Sequence, residues 1–189
     1  MPLANGKYPI KNPAWLQAGQ PSGVYRENFP RAQVSTDLAA LTTQVMSAVA
    51  IPLQAGDVVT NITFKSGATA AGTPTNWWFA LYDGAATPNL ITQTVDQLTG
   101  AWAANTAKTL PLATAYTVTA PGIFYLAVMV KATTVPTLIG FTSFAGAAGG
   151  VLTADKALSV TSGSSLTTAA TATLASPTNV ATVPYAVVS

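Results

Sequence analysis

The sequence predicts an all-β protein: a jelly-roll-like antiparallel β-sandwich over residues 37–189, preceded by an extended, proline-rich N-terminal arm over residues 1–36. Three observations lead to this prediction. Runs of apolar and β-branched residues of strand length are separated by Gly, Pro and Asn turn signals. Helical periodicity is faint and confined to one short stretch. Five of the thirteen prolines fall within the first 36 residues, too densely for a helix or a central strand.

The arm also differs from the rest of the chain in charge. It carries a net charge of +3, while the remaining residues sum to −1. Its cations alternate with aromatic side chains, and Arg and aromatic anchors at intervals are typical of a segment that docks on another protein. We therefore predict an arm that anchors the chain to a partner, and its contact residues are Lys7, Tyr8, Lys11, Trp15, Tyr25, Arg26, Phe29 and Arg31.

The first half of the domain begins with faint helical periodicity at residues 37–41, where Thr36 could cap one or two turns. Residues 45–53 are apolar and end at a turn, so they read as a strand. In residues 58–65 apolar and polar side chains alternate, with positions 58, 60, 62 and 64 on one face. Residues 77–82 are apolar on both faces, as expected of a strand in the middle of a sandwich.

The middle of the chain continues the pattern. We predict a short strand at residues 90–94, a loop or helical turn at 96–108, and strands at 109–112 and 116–118. Residues 123–131 form the most apolar run and should lie at the centre of the sheet.

The last third of the chain is rich in Ala, Thr and Ser, and its strand pattern is weaker. Strands are expected at residues 138–141, and weaker candidates lie at 157–160, 166–174 and 185–188. Eight to ten short strands with turns between them indicate a sandwich or barrel, and the irregular connections favour a jelly roll.

Composition excludes many kinds of chemistry. The chain has no Cys and no His, so thiolate and imidazole metal sites and histidine-dependent catalysis are absent. Only six carboxylates remain, and two of them, Asp57 and Asp83, stand next to Gly at turns, where Asp commonly serves the backbone. No nucleophile, phosphate-loop or calcium-loop motif is present. We predict no catalytic residue, no metal ligand and no cofactor.

Nucleic acid and membranes are also disfavoured as partners. Residues 37–189 contain four lysines against five acids, which gives no basic face. The longest strongly apolar run, residues 123–130, has the length of a strand rather than a membrane helix. The N-terminus has no basic stretch leading into an apolar one, so no secretory signal is visible and synthesis in a cytoplasm is expected.

Low charge points toward assembly. Only 7% of the residues are charged, against about 25% in typical soluble domains. A monomer with so little charge is poorly protected against self-association, and burial in an assembly would remove that problem. The alternative is an ordinary β-domain kept in solution by its Thr, Ser, Asn and Gln side chains.

A pattern of strands and turns over about half of the chain resembles the jelly-roll modules of structural proteins of tailed bacteriophages, especially those that infect actinobacteria. The residues that carry the resemblance are Ile51-Pro52-Leu53-Gln54-Ala55-Gly56-Asp57, Ile62-Thr63-Phe64, Trp78-Phe79-Ala80-Leu81-Tyr82-Asp83, Leu90-Ile91-Thr92-Gln93-Thr94, Trp102, Tyr116-Thr117-Val118 and Gly122-Ile123-Phe124-Tyr125-Leu126-Ala127. The resemblance implies a non-enzymatic protein of the virion, often trimeric. No site residue is carried over from it.

These observations favour a capsid decoration, or cement, protein that attaches to the phage head by its N-terminal arm. Its expected partners are the major capsid protein or other virion proteins and further copies of itself, with a trimer favoured. One alternative is a minor tail or fibre protein. Another is a carbohydrate- or receptor-binding jelly roll that would use Trp78, Tyr82 or Trp102 as an exposed stacking platform.

Overall fold

A computed structural model describes residues 25–144 and 147–189. This part of the chain contains thirteen β-strands, a 3-10 helix at Arg31–Gln33 and no α-helix. The prediction of an all-β fold is therefore confirmed. The strands are β1 (Arg26–Glu27), β2 (Thr36–Asp37), β3 (Met46–Leu53), β4 (Val58–Lys65), β5 (Asn76–Tyr82), β6 (Leu90–Gln93), β7 (Ala107–Thr117), β8 (Gly122–Lys131), β9 (Ile139–Thr142), β10 (Ser159–Ser162), β11 (Thr178–Asn179), β12 (Thr182–Pro184) and β13 (Ala186–Val188).

Eight of these strands form two packed antiparallel layers. The first layer has the order β1-β13-β4-β7, and the second contains β3-β8-β5-β6. Numbered one to eight along the chain, the orders are 1-8-3-6 and 2-7-4-5, which is the arrangement of a jelly roll built from two Greek keys. Strands β10 and β11 extend the second layer beyond β3, and β12-β9-β2 form a small third sheet.

The two layers meet in an aromatic and aliphatic core. Alternate residues of β5 point to opposite faces, so Trp77, Phe79 and Leu81 enter this core while Trp78 and Tyr82 point away from it. The predicted central position of residues 123–131 is confirmed, because β8 pairs with both β3 and β5.

Strand β4 follows the predicted alternation except at its start. Ile62 and Phe64 are fully buried as expected, but Val59 rather than Val58 faces the core. The register between β4 and β7 shifts here, and the N–H groups of Thr60 and Asn61 both donate to the Ser189 carbonyl oxygen, at 2.7 Å each. This β-bulge inserts one residue and so reverses the faces on its two sides.

The outer face of the second layer is closed by residues 163–177, which we call the strap. Leu166 and Leu174 from the strap pack with Trp78, Tyr82 and other residues in a second apolar cluster. The strap contains no β-strand, so the expectation of a strand at 166–174 was wrong.

The strap is held by one isolated antiparallel bridge, between Thr173 and Asn89, and by hydrogen bonds to side chains of the sheet. Trp78 Nε1–H donates to the Thr167 carbonyl oxygen at 2.7 Å, and the Tyr82 hydroxyl donates to that of Thr171 at 2.8 Å. Gln93 accepts a hydrogen bond from the Ala170 N–H at 2.7 Å. These bonds satisfy the buried polar atoms of two aromatic rings and fix the strap over them.

The expected helical turn at residues 37–41 is absent. Thr36 and Asp37 instead pair with β9, and the Leu38 N–H donates to the Leu138 carbonyl oxygen at 2.9 Å. Tertiary pairing therefore overrides a weak local preference. Among the described residues, no helix has the length and apolarity needed to cross a membrane.

Candidate interaction surfaces

All six carboxylates of the chain lie among the described residues, and each one accepts a hydrogen bond from a backbone N–H. The donor and acceptor pairs are Arg31 to Glu27, Gln54 to Asp57, Ala68 to Asp37, Trp77 to Asp96, Asn89 to Asp83 and Val151 to Asp155. The predicted turn roles of Asp57 and Asp83 are thus confirmed. In residues 25–144 and 147–189, no three such groups gather where they could hold a metal ion.

The C-terminal part of the predicted arm lies on the sandwich itself. Strand β1 pairs with β13 and is the first strand of the jelly roll. The ring of Phe29 packs against Phe141, with centroids 4.7 Å apart, and against Tyr185 at 5.5 Å. Residues 25–37 therefore contribute to the fold of their own chain.

Four of the eight predicted arm contacts can be located. Tyr25, Arg26 and Phe29 are partly buried against the domain, whereas Arg31 is exposed. Lys7, Tyr8, Lys11 and Trp15 lie outside the described residues. Of the two predicted arm cations that the structure locates, Arg26 and Arg31, it is Arg31 that is exposed and available to a partner.

Arg26 is committed to an internal ion pair. Its Nη2 lies 2.7 Å from Oδ1 of Asp57, whose side chain is only 6% exposed. The other oxygen of Asp57 accepts the Gln54 N–H at 2.9 Å, so one carboxylate ties β1 to the turn between β3 and β4. Because Asp57 is almost fully buried, loss of Arg26 would leave its charge without its main partner.

Next to this ion pair, two tyrosine hydroxyls meet a buried carboxylate. The Tyr25 hydroxyl donates to Oε1 of Glu27 at 3.1 Å and lies 3.5 Å from the Tyr185 hydroxyl. Burial raises the pKa of Tyr25, and burial together with the hydrogen bonds to Tyr25 and Glu27 raises the pKa of Tyr185. Both hydroxyls therefore stay protonated at neutral pH, so the cluster is a structural clamp for β1.

The aromatic platform expected for carbohydrate binding is not exposed. Trp78 and Tyr82 are fully buried beneath the strap, and Trp102 is 1% exposed in the core between the layers. None of the three rings can stack on a sugar without unfolding part of the chain. The exposed platform expected for carbohydrate binding was therefore wrong, whereas the expectation that residues 77–82 form a strand in the middle of the sandwich is confirmed.

Among the described residues, the three most exposed large apolar side chains lie in the connection between β9 and β10. Phe144 is 86% exposed, and Val151 and Leu152 are 80% and 71% exposed. We call the last two, Val151 and Leu152, the apolar tip. Sequence reasoning missed it, although an apolar pair between Gly149-Gly150 and Asp155 is a recognisable signal for a turn that presents apolar side chains.

The apolar tip is held in shape by Asp155. Oδ2 of Asp155 accepts the N–H groups of Val151 and Leu152 at 2.8 Å each. These two hydrogen bonds hold the pKa of Asp155 below its ordinary value. A lowered pKa means that the ordered turn is fully present above the ordinary Asp pKa and is lost as the pH falls through the lowered one.

We expect the backbone amide proton shifts of Val151 and Leu152, followed by NMR, to titrate together with a midpoint below about 3.9, the pKa of a free Asp. Asp155→Asn should abolish this transition while the amide shifts of β8 stay unchanged. A midpoint at or above the free value would contradict the assigned hydrogen bonds.

Two concave surfaces flank β10 and β11. One, of about 250 Å³, is lined on the outer side by Tyr125, Val160, Asn179 and the ends of the apolar tip's turn. The other, of about 130 Å³, lies between residues 38–42 and strands β10 and β12.

Comparison of the sequence with protein-family models and with curated proteins finds no match.

Proposed function

We propose that this chain is a non-enzymatic structural protein of a virion, and that it is a capsid decoration protein attached to the phage head by its N-terminal segment. Its partners are the major capsid protein or other virion proteins, together with further copies of itself, with a trimer favoured. In this proposal it is made in the host cytoplasm and binds neither nucleic acid nor membranes.

One observation carries the proposal: the distribution of charge. Residues 25–189 hold six cations and six anions, so the jelly roll is formally neutral. The whole net charge of +2 belongs to Lys7 and Lys11, in the segment that leads into β1. A neutral body can be placed beside many copies of itself without mutual repulsion, while the positive charge of a short segment attracts a lattice of opposite charge.

The use of the carboxylates supports a role without catalysis. Each acid stabilises a turn or a loop of its own chain, and Asp57 is in addition neutralised by Arg26. Acid and base catalysis needs carboxylates held ready for a substrate. The carboxylates of the described residues instead accept hydrogen bonds that stabilise the connections between strands.

The mechanism would be adhesive. Burial of apolar surface supplies about 25 cal/mol per Å², and Val151 and Leu152 offer such surface. Many copies held side by side add avidity, so no single contact has to be tight. A decoration protein needs this combination of weak contacts and high copy number.

The same features would serve a minor tail or fibre protein, and copy number separates the two. We expect quantitative mass spectrometry of purified phage particles to find hundreds of copies relative to the major capsid protein. A handful of copies would move the protein to the tail or a vertex, and its absence from particles would overturn the virion proposal. In that event a glycan array would test the receptor-binding alternative on the intact chain.

A further inference from the structure

The free edge formed by β10 and β11 carries an apolar projection on one face. The apolar tip, Val151 and Leu152, stands out into solvent with both N–H groups bound to Asp155. The turn is closed by a further hydrogen bond from the Asp155 N–H to the Leu152 carbonyl oxygen, at 3.0 Å. A turn with three internal hydrogen bonds holds two aliphatic side chains in water, where they lack apolar contacts.

The opposite face of the same edge carries an uncharged cleft. This cleft, of about 130 Å³, is lined by apolar side chains and hydroxyl groups, among them Leu38, Leu41, Ser159 and Thr161. Ser159 is fully buried, and its Oγ has no hydrogen-bond partner. A buried hydroxyl without a partner is unfavourable until a polar group reaches it.

Strand alternation places the projection and the cleft back to back. Val160 faces the outer apolar cluster, while its neighbours Ser159 and Thr161 face the cleft. Gly149 and Asp155, at the two ends of the tip's turn, line the outer depression beside Val160. One sheet edge therefore presents a projection on one side and a receptacle on the other.

We propose that the occupant of the cleft is the apolar tip of a second copy of this chain. A cavity of about 150 Å³ holds a molecule of the size of benzene, so a cleft of about 130 Å³ accepts the side chain of Leu152. No charged residue lines the cleft, so no charge there opposes entry of the apolar tip.

Such a contact joins two different surfaces, so it is heterologous. Heterologous contacts close into rings when the rotation between copies allows it and otherwise continue as open chains. The inference deepens the self-association included in the proposed function by naming the surfaces that meet. The test of this inference uses the isolated chain. A negative result would therefore overturn the contact between copies without bearing on the proposed attachment to a virion.

The experiment is sedimentation velocity of the full chain over a concentration series, with two variants. The tip variant carries Val151→Ser and Leu152→Ser. The cleft variant carries Ala40→Trp, at an exposed residue of the cleft. We expect the wild-type chain to associate as its concentration rises, and each variant to associate at least tenfold more weakly.

The decisive sample is an equimolar mixture of the two variants. The cleft variant keeps an intact tip and the tip variant keeps an intact cleft, so the mixture should form heterodimers of wild-type affinity and no larger species. Val95→Ser is the matched control, since Val95 is 68% exposed on a different loop, and it should associate as the wild type does. Circular dichroism establishes that every variant is folded.

Three results would overturn the proposal. The first is a wild-type chain that stays monomeric at all concentrations, and the second is a mixture that fails to recover association. The third is loss of binding to phosphatidylcholine vesicles in the tip variant without any change in self-association, which would assign the tip to a lipid surface.

Discussion

Trp102→Ala is expected to lower the free energy of unfolding by about 3–5 kcal/mol, the range for removal of a buried aromatic side chain. The ring of Trp102 lies 5.0 Å from that of Trp77 and 5.6 Å from that of Phe79, and its Nε1–H donates to the Thr106 carbonyl oxygen at 3.0 Å. Denaturation in urea, followed by far-UV circular dichroism, measures the loss. Since proteins are stable by about 5–15 kcal/mol, this one change would remove a large share of the total.

Two variants separate core packing from a binding role. Trp102→Phe keeps an aromatic ring in the core and should cost clearly less than the Ala variant. Val95→Ala truncates an exposed side chain and should stay within about 0.5 kcal/mol of the wild type. If Trp102→Ala unfolded at the wild-type urea concentration, the ring would lie outside the core and the carbohydrate-binding alternative would regain its platform.

Trp102 also illustrates what a sequence can predict about this fold. Strand positions followed from runs and turns, and the opposite orientations of Trp77 and Trp78 followed from strand geometry. Trp102 stands in a loop without hydrophobic periodicity, so its burial could not be predicted from the neighbouring residues. Its burial depends on Trp77 and Phe79, which lie more than twenty positions away in the chain.

The strand predicted at residues 166–174 was wrong for a similar reason, because contacts with residues distant in the sequence decide the conformation of the strap. Its Ala, Thr and Ser residues have weak preferences, so their conformation is decided by partners elsewhere in the fold, among them the side chains of Trp78, Tyr82 and Gln93. Those donors and acceptors come from β5 and β6, far from the strap in sequence. A local pattern cannot report bonds that form only after the sheet has assembled.

The candidate surfaces were predicted in part. Proline spacing and charge singled out the N-terminal segment, but they could not indicate that β1 completes the first layer. The signal for docking on a partner and the signal for docking on the chain's own sheet are the same, an Arg and aromatic side chains at intervals. Only the pairing of β1 with β13 and the contact of Arg26 with Asp57 distinguish the two.

Two truncations are therefore expected to behave differently. Removal of residues 1–24 should leave the sandwich as stable as the full chain, because β1, Arg26 and Phe29 are retained. Removal of residues 1–31 should cost about 3 kcal/mol or more, since burial of an aromatic ring such as that of Phe29 contributes about 1.5–3 kcal/mol and each hydrogen bond about 1 kcal/mol. Urea unfolding of the two proteins measures the difference.

The longer truncation also exposes a sheet edge. Asn28 holds β13 through its side chain, accepting the Ala186 N–H and donating to the Pro184 carbonyl oxygen, both at 2.9 Å. Without β1 the backbone of β13 becomes a free edge of apolar residues, which favours aggregation. Light scattering should detect this in the longer truncation alone. Arg26→Ala in the full chain is a milder variant, expected to be destabilised without aggregation because β1 still covers β13.

This difference decides how anchoring has to be tested. The shorter truncation removes Lys7, Tyr8, Lys11 and Trp15 while sparing the fold, so it should remain soluble and yet fail to join phage particles when added to particles stripped of the native protein. Incorporation at the wild-type level would refute anchoring by these residues and leave the exposed Arg31 and the apolar tip as contacts with the lattice. Loss of incorporation in the longer truncation alone would reflect the missing first strand, because a sandwich without β1 has lost its own edge as well as any anchor.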